Sequence, residues 1–149
     1  MSAMRFRDRI AHAIRLRLAL SDREAVRRSS ALFALPQNAA EGARALWATA
    51  DTIWTALGDT SRDVNWYTKR ATLAAVQGAV VLYWLGAPED LDDFIDRRIE
   101  DVMAFEKTKV RIRENPLGKA LLAGPLKLLE RISAPQPQDD LPGHVKKGA

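Results

Sequence analysis

The chain is expected to fold as an all-α domain, a helical bundle followed by a C-terminal amphipathic helix. Three observations predict this. Apolar residues recur three and four apart from Phe6 to Ile132. Stop signals punctuate that pattern at Pro36, Gly58, Gly86 with Pro88, and Asn115 with Pro116. Between Ala71 and Pro88 the chain carries no charge at all, as a helix buried on all sides would. At 149 residues one domain can bury a core without covalent staples.

A first helix is expected from about Met4 to Ala19, with Phe6, Ile10, Ala13, Ile14 and Leu18 on one stripe. Arg17 interrupts that stripe, which marks a surface helix and not a core one. Ser21 or Asp22 caps a second helix from Arg23 to about Leu35, where Pro36 ends it. Asn38 caps a third that runs to about Leu57, with Leu46, Ala50, Ile53, Trp54 and Leu57 on the buried face and Trp47 widening it. Gly58 supplies the left-handed residue that closes it.

The fourth helix starts near Asp63, with Thr60 and Asp63 as a capping pair, and runs to about Leu85. Its small face of Ala71, Ala74, Ala75 and Gly78 admits a neighbouring helix. Its larger face of Leu73, Val76, Val80, Tyr83 and Trp84 lines a core or an apolar cavity. The uncharged run touches the length of a membrane span, but alanines, Thr72, Gln77 and Gly78 favour a buried helix. Glu89, Asp90, Asp92 and Asp93 open a fifth helix, where acids complement the free amides of a first turn, and it reaches about Arg113. Asp93 with Arg97 and Arg97 with Asp101 are spaced for surface pairs. Asn115 and Pro116 start the last helix, whose leucines occupy half the circumference opposite Lys119, Lys127, Glu130 and Arg131, with a break at Gly124 and Pro125. Residues 1–113 are thus the bundle, 114–133 the amphipathic helix and 134–149 a disordered tail.

Composition removes several chemistries. There are no cysteines, so disulfides, thiolate metal sites and a cysteine nucleophile are excluded. His12 and His144 are the two histidines; neither has a glutamate three residues before it, as a helical di-iron site needs. No serine triad and no phosphate loop can be assembled. The sequence therefore predicts no catalytic residue, no metal and no cofactor. Charge is segregated: residues 1–35 hold eight arginines against three acids, 36–106 six cations against twelve acids, and 107–133 seven cations against two. Basic ends suit an anionic surface, and sparse aromatics on the first helix disfavour nucleic acid.

The string Asp63-Val64-Asn65-Trp66-Tyr67-Thr68-Lys69-Arg70 follows Gly58 in a polar turn, with Leu35-Pro36-Gln37-Asn38-Ala39 upstream and Asp96-Arg97-Arg98-Ile99-Glu100-Asp101-Val102-Met103 downstream. In that order it resembles the Coq-nine family, lipid-binding accessory proteins of coenzyme Q (ubiquinone) biosynthesis. The resemblance implies a TetR-like ligand domain without the helix-turn-helix part that precedes it in the family. It implies an apolar cavity for an isoprenoid or quinone lipid, for which Leu46, Trp54, Leu73, Val76, Val80 and Met103 are the expected wall. It implies docking of the pathway's di-iron hydroxylase on Asp63, Asn65, Trp66, Tyr67 and Arg70, and membrane contact through Leu117, Leu121, Leu122, Leu126, Leu128 and Leu129. A homodimer is admitted, and the expected location is peripheral, on the cytoplasmic side of an inner membrane or the matrix side of a mitochondrial one. Two other functions fit the same residues: a ligand-sensing TetR-like regulator domain, and a helical interaction module without lipid.

Overall fold

A computed structural model describes residues 4–120 and 131–135. Among them are five α-helices and a short 3-10 turn, and no strand. They are α1 (Phe6–Ala19), α2 (Arg23–Phe33), the turn Pro36–Asn38, α3 (Ala39–Ala56), α4 (Val64–Leu85) and α5 (Leu91–Glu114). Residues 116–120 are again helical. The all-α expectation holds, with helix ends displaced by one or two residues.

The core is one cluster drawn from α1, α3, α4 and α5. Ile10, Ala11, Ile14 and Leu18 of α1 are buried in it, and Ile14 is fully enclosed. That corrects the expectation of a surface helix. Arg17 is only half-buried, since a long side chain can lay its aliphatic stem along apolar neighbours and lift its charge to the rim. One arginine beside an apolar stripe therefore does not exclude it from the core.

Helices α3 and α4 form an antiparallel pair, fixed at one end by the Trp54 indole donating to the Lys69 carbonyl at 3.0 Å. Further along, Leu46 sits on Gly78, where an added Cβ would lie 3.3 Å from its Cδ1. Leu73, Val76, Gln77, Val80, Val81 and Trp84 of α4 are buried, but Ala71, Ala75 and Leu82 are exposed, Leu82 by 69%. The expectation of burial on all sides is corrected: α4 has a solvent face made of small and aliphatic residues. Absence of charge recorded what the buried face needs and nothing about the outer one.

Cap chemistry is partly as expected. Asp22 accepts from the Ala25 amide at 2.7 Å, and Asp63 by itself accepts from the Asn65 amide at 3.0 Å. Asn38 does not cap α3; its amide nitrogen reaches back to the Leu32 carbonyl at 3.1 Å and closes α2 instead. Gly58 has φ 79°, as a left-handed closing residue should, but after α4 that conformation falls on Ala87 (φ 53°) and not on Gly86. Asn115 accepts from the Leu117 amide at 3.0 Å and caps the next helical turn as expected.

Helix α5 runs antiparallel to α1, with Arg15 bonded to Asp92 at 2.6 Å and to Asp96 at 2.9 Å, and Arg7 to Glu100 at 3.5 Å. The expected pairs on its own surface are replaced. Arg97 goes to Asp90 at 3.3 Å and Arg98 to Asp101 at 2.7 Å, while Tyr83 of α4 stacks on Phe94 at 4.0 Å between ring centroids. These pairs are exposed and contribute little to stability.

Candidate functional site

The first half of α4, together with α1, α3 and α5, lines a half-open cavity of about 240 Å³. Phe6 and Ile10 enter from α1, Trp54 from α3, Lys69, Thr72, Leu73 and Val76 from α4, and Ile99, Val102, Met103 and Glu106 from α5. Phe6 and Trp54 meet at 5.3 Å between ring centroids, and Met103 is partly exposed. Four of the six residues expected in a lipid wall, Trp54, Leu73, Val76 and Met103, are brought together here. Leu46 and Val80 are not: α4 lines the cavity only from Lys69 to Val76, and both lie beside its later turns, Leu46 against Gly78 and Val80 wholly buried in the core.

Next to the cavity lies a buried ion cluster. Asp59 in the α3–α4 turn accepts from Lys69 Nζ at 2.8 Å, from Ser61 Oγ at 2.8 Å and from Arg70 Nη1 at 3.0 Å. Arg70 also donates through Nε to Asp51 of α3 and through Nη1 to the Trp66 carbonyl at 3.3 Å. The side chains of Asp59 and Arg70 are each only 3% exposed. Burial pushes the Asp59 carboxyl up, but the hydrogen bonds from Lys69, Ser61 and Arg70 outweigh it and hold the group well below the usual carboxylate range. Lys69 belongs to both sites, since its ammonium also lies 5.2 Å from the Trp54 ring.

On the outer side of this cluster stand three aromatics. Trp66 packs edge-on against Tyr67 at 4.8 Å, and Trp47 of α3 approaches Trp66 at 5.9 Å and Tyr67 at 6.2 Å. The Arg70 guanidinium lies 4.0 Å from the Trp66 ring centre. Of the five residues expected to face a partner, Asp63 and Asn65 are exposed, Trp66 and Tyr67 half-buried, and Arg70 buried. Asp63 and Asn65 bond to each other at 3.0 Å. Arg70 therefore supports the patch from behind, presenting the Trp66 ring and not itself.

Of the residues expected at a membrane, Leu117 is 74% exposed; Leu121, Leu122, Leu126, Leu128 and Leu129 lie outside the described residues. No described helix is long and apolar enough to cross a membrane. Residues 131–135 are not helical. They come back to the start of α4, where the Ala134 amide donates to the Arg62 carbonyl at 3.0 Å and the Tyr67 hydroxyl to the Ser133 carbonyl at 3.2 Å. Of the tail expected from residue 134, residues 134 and 135 are described and 136–149 lie outside the described residues.

The COQ9 family model matches residues 39–106, which hold the ion cluster, the aromatic patch and every wall of the cavity except α1. The chain carries a COQ9 domain. It is similar to the ubiquinone biosynthesis protein COQ9, mitochondrial, of Rattus norvegicus, with 33% identity over 114 residues, 74% of this chain and 36% of the relative. The Homo sapiens protein of the same name is 32% identical over 114 residues, 74% of this chain and 35% of its own. The probable ubiquinone biosynthesis protein coq9, mitochondrial, of Dictyostelium discoideum is 30% identical over 121 residues, 76% of this chain and 39% of its own. The chain thus spans little more than a third of these relatives. No solved structure matches it.

Within the COQ9 domain, sequence reasoning missed Asp51 and Asp59 as a set and Trp47 as part of the patch. Asp59 had one available signal, an acid fixed in a short turn ahead of Lys69 and Arg70. Asp51 and Trp47 lie on α3, four residues apart, so one side of α3 carries both toward the first turns of α4. Among the described residues no group of three or more histidines or acids is arranged to hold a metal ion.

Proposed function

We propose that this chain is a non-enzymatic lipid-binding accessory protein of ubiquinone biosynthesis. It holds part of an isoprenoid or quinone lipid in the cavity and presents it to the di-iron hydroxylase of the pathway. The observation that carries this is the cavity itself, apolar apart from Lys69, Thr72 and Glu106. At about 240 Å³ it is smaller than the roughly 300–1,000 Å³ of sites that enclose a whole small ligand, so it suits a segment of a longer chain. Each methylene moved out of water into such a wall contributes about 0.8 kcal/mol. The pathway follows from the COQ9 domain and from the names of its relatives, and their mitochondrial location supports a place on the matrix side of the membrane. Exposed Leu117 and the leucines that follow it in sequence would hold the chain at the bilayer surface.

Mass spectrometry of organic extracts from the purified protein tests the cargo. A stoichiometric long-chain isoprenoid or quinone is expected, and Val76→Trp, which fills the cavity, should lose it while remaining folded by circular dichroism. Clean extracts from the parent protein would refute lipid binding and leave an interaction module. For the hydroxylase, Trp66→Ala should reduce capture of the purified enzyme by tenfold or more, as loss of a central aromatic does at interfaces. Undiminished capture would remove the aromatic patch from the docking surface.

A further inference from the structure

The segment 131–135 makes two hydrogen bonds to the start of α4, and both engage its main chain. Arg62 offers a carbonyl to the Ala134 amide, and the Tyr67 hydroxyl donates to the Ser133 carbonyl. Neither contact uses the Ser133 or Ala134 side chain. What the surface recognises is therefore a stretch of backbone with an acceptor at one residue and a donor at the next. Ala134 precedes Pro135, which biases it toward extended conformations, and Pro137 follows two residues on. Tyr67 is flanked by Trp66 and Trp47. An aromatic cluster beside a proline-bearing segment that is hydrogen-bonded through its main chain is the kind of arrangement by which peptide-binding grooves take proline-containing segments.

We infer that the Trp47, Trp66 and Tyr67 patch is a groove for an extended, proline-bearing peptide, closed in cis by the chain's own residues 131–135. A protein that docks there through such a segment must first displace the strap. The occupant is tethered, so it competes at an effective concentration in the millimolar range without any added affinity. Two hydrogen bonds of ordinary strength make this a shallow clasp, closed at rest and opened by a stronger competitor. The proposal concerns how the patch is occupied and does not depend on whether the partner is the hydroxylase.

The test uses the full chain, its Ala134→Pro variant, and a synthetic peptide covering residues 131–137. Ala134→Pro removes the donated amide from a surface segment and leaves the bundle intact. Two readouts are taken: hydrogen exchange of the Ala134 amide in the parent chain, and shifts of the Trp47 and Trp66 indole signals as peptide is added. Protection of the amide by a factor on the order of ten to a hundred is expected. The peptide should shift both indoles of the variant and require at least tenfold more to do so in the parent. A peptide carrying the same alanine-to-proline change should shift neither. Exchange at the free-peptide rate, equal titrations of parent and variant, or no shift in either would each overturn the proposal. Hydroxylase capture measured on the parent, Ala134→Pro and Trp66→Ala chains separates the two ideas: capture lost only in Trp66→Ala leaves docking standing even where the strap fails.

Discussion

Replacing Asp59 by asparagine keeps the shape of the side chain and removes its charge from the buried cluster. Lys69, 37% exposed, can then turn to water, but Arg70, 3% exposed, cannot. Arg70 retains Asp51, which is itself 44% exposed. The cost should therefore be about 3 kcal/mol, the lower end of what breaking a buried ion pair takes. In a domain of this size that lowers the melting temperature by about 6–12 °C. The loss also has a pH signature. The carboxyl is depressed in the fold, so its stabilisation is complete above its ordinary value of 3.8 and is lost as pH falls toward the folded value. At pH 3 the unfolded chain has taken up most of a proton at this site while the folded chain has not, which removes about 1 kcal/mol from the parent and nothing at this position from the variant. Urea denaturation followed by far-ultraviolet circular dichroism at pH 7 and pH 3 measures both quantities. A loss below about 1 kcal/mol at pH 7, or a gap between the two proteins that fails to narrow at pH 3, would refute the assignment of Asp59 as the anion that holds this cluster.

Two further predictions address α4 and the turn that follows it. Gln77 is fully buried, and neither polar atom of its amide has a hydrogen-bond partner; Gln77→Leu should stabilise the protein by about 1–3 kcal/mol in chemical denaturation. Ala87 holds a left-handed backbone at φ 53° that an L side chain resists. Ala87→Gly should therefore raise stability by about 0.5–1 kcal/mol, after the extra freedom of glycine in the unfolded chain is counted.

Helices were legible because local rules decide them: periodicity, Asp22, Asp63 and Asn115 as caps, and Gly58 as a left-handed stop each act within one turn. Facing was less legible. Leu46 and Val80 share the apolar spacing of Trp54 and Val76, yet only the latter pair reaches the cavity, because its extent along α4 is set by where α1 and α5 cross. Phe6 and Ile10 stood on a recognised stripe, but no stripe states which void it borders. Arg70 shows the same limit for charge. Its neighbourhood with Trp66 and Tyr67 was visible in the string, whereas its burial depends on Asp51, nineteen residues earlier. The return of Ser133 to Tyr67 spans 66 positions, and nothing in the local composition announces it.

Cavity and aromatic patch are borne by one uninterrupted stretch of α4. From Trp66 to Val76 the helix advances by about 15 Å at the usual rise per residue, with Arg70 pinned to α3 through Asp51 and to the preceding turn through Asp59. There is no hinge between the two sites. The helix is a ruler: under the proposed function, a molecule seated at Val76 and a protein seated at Trp66 would stand at a fixed separation. Delivery from one to the other would then come from movement of the cargo along that length, so that the reach of a lipid chain, more than any closing motion of the protein, would set what can be handed over.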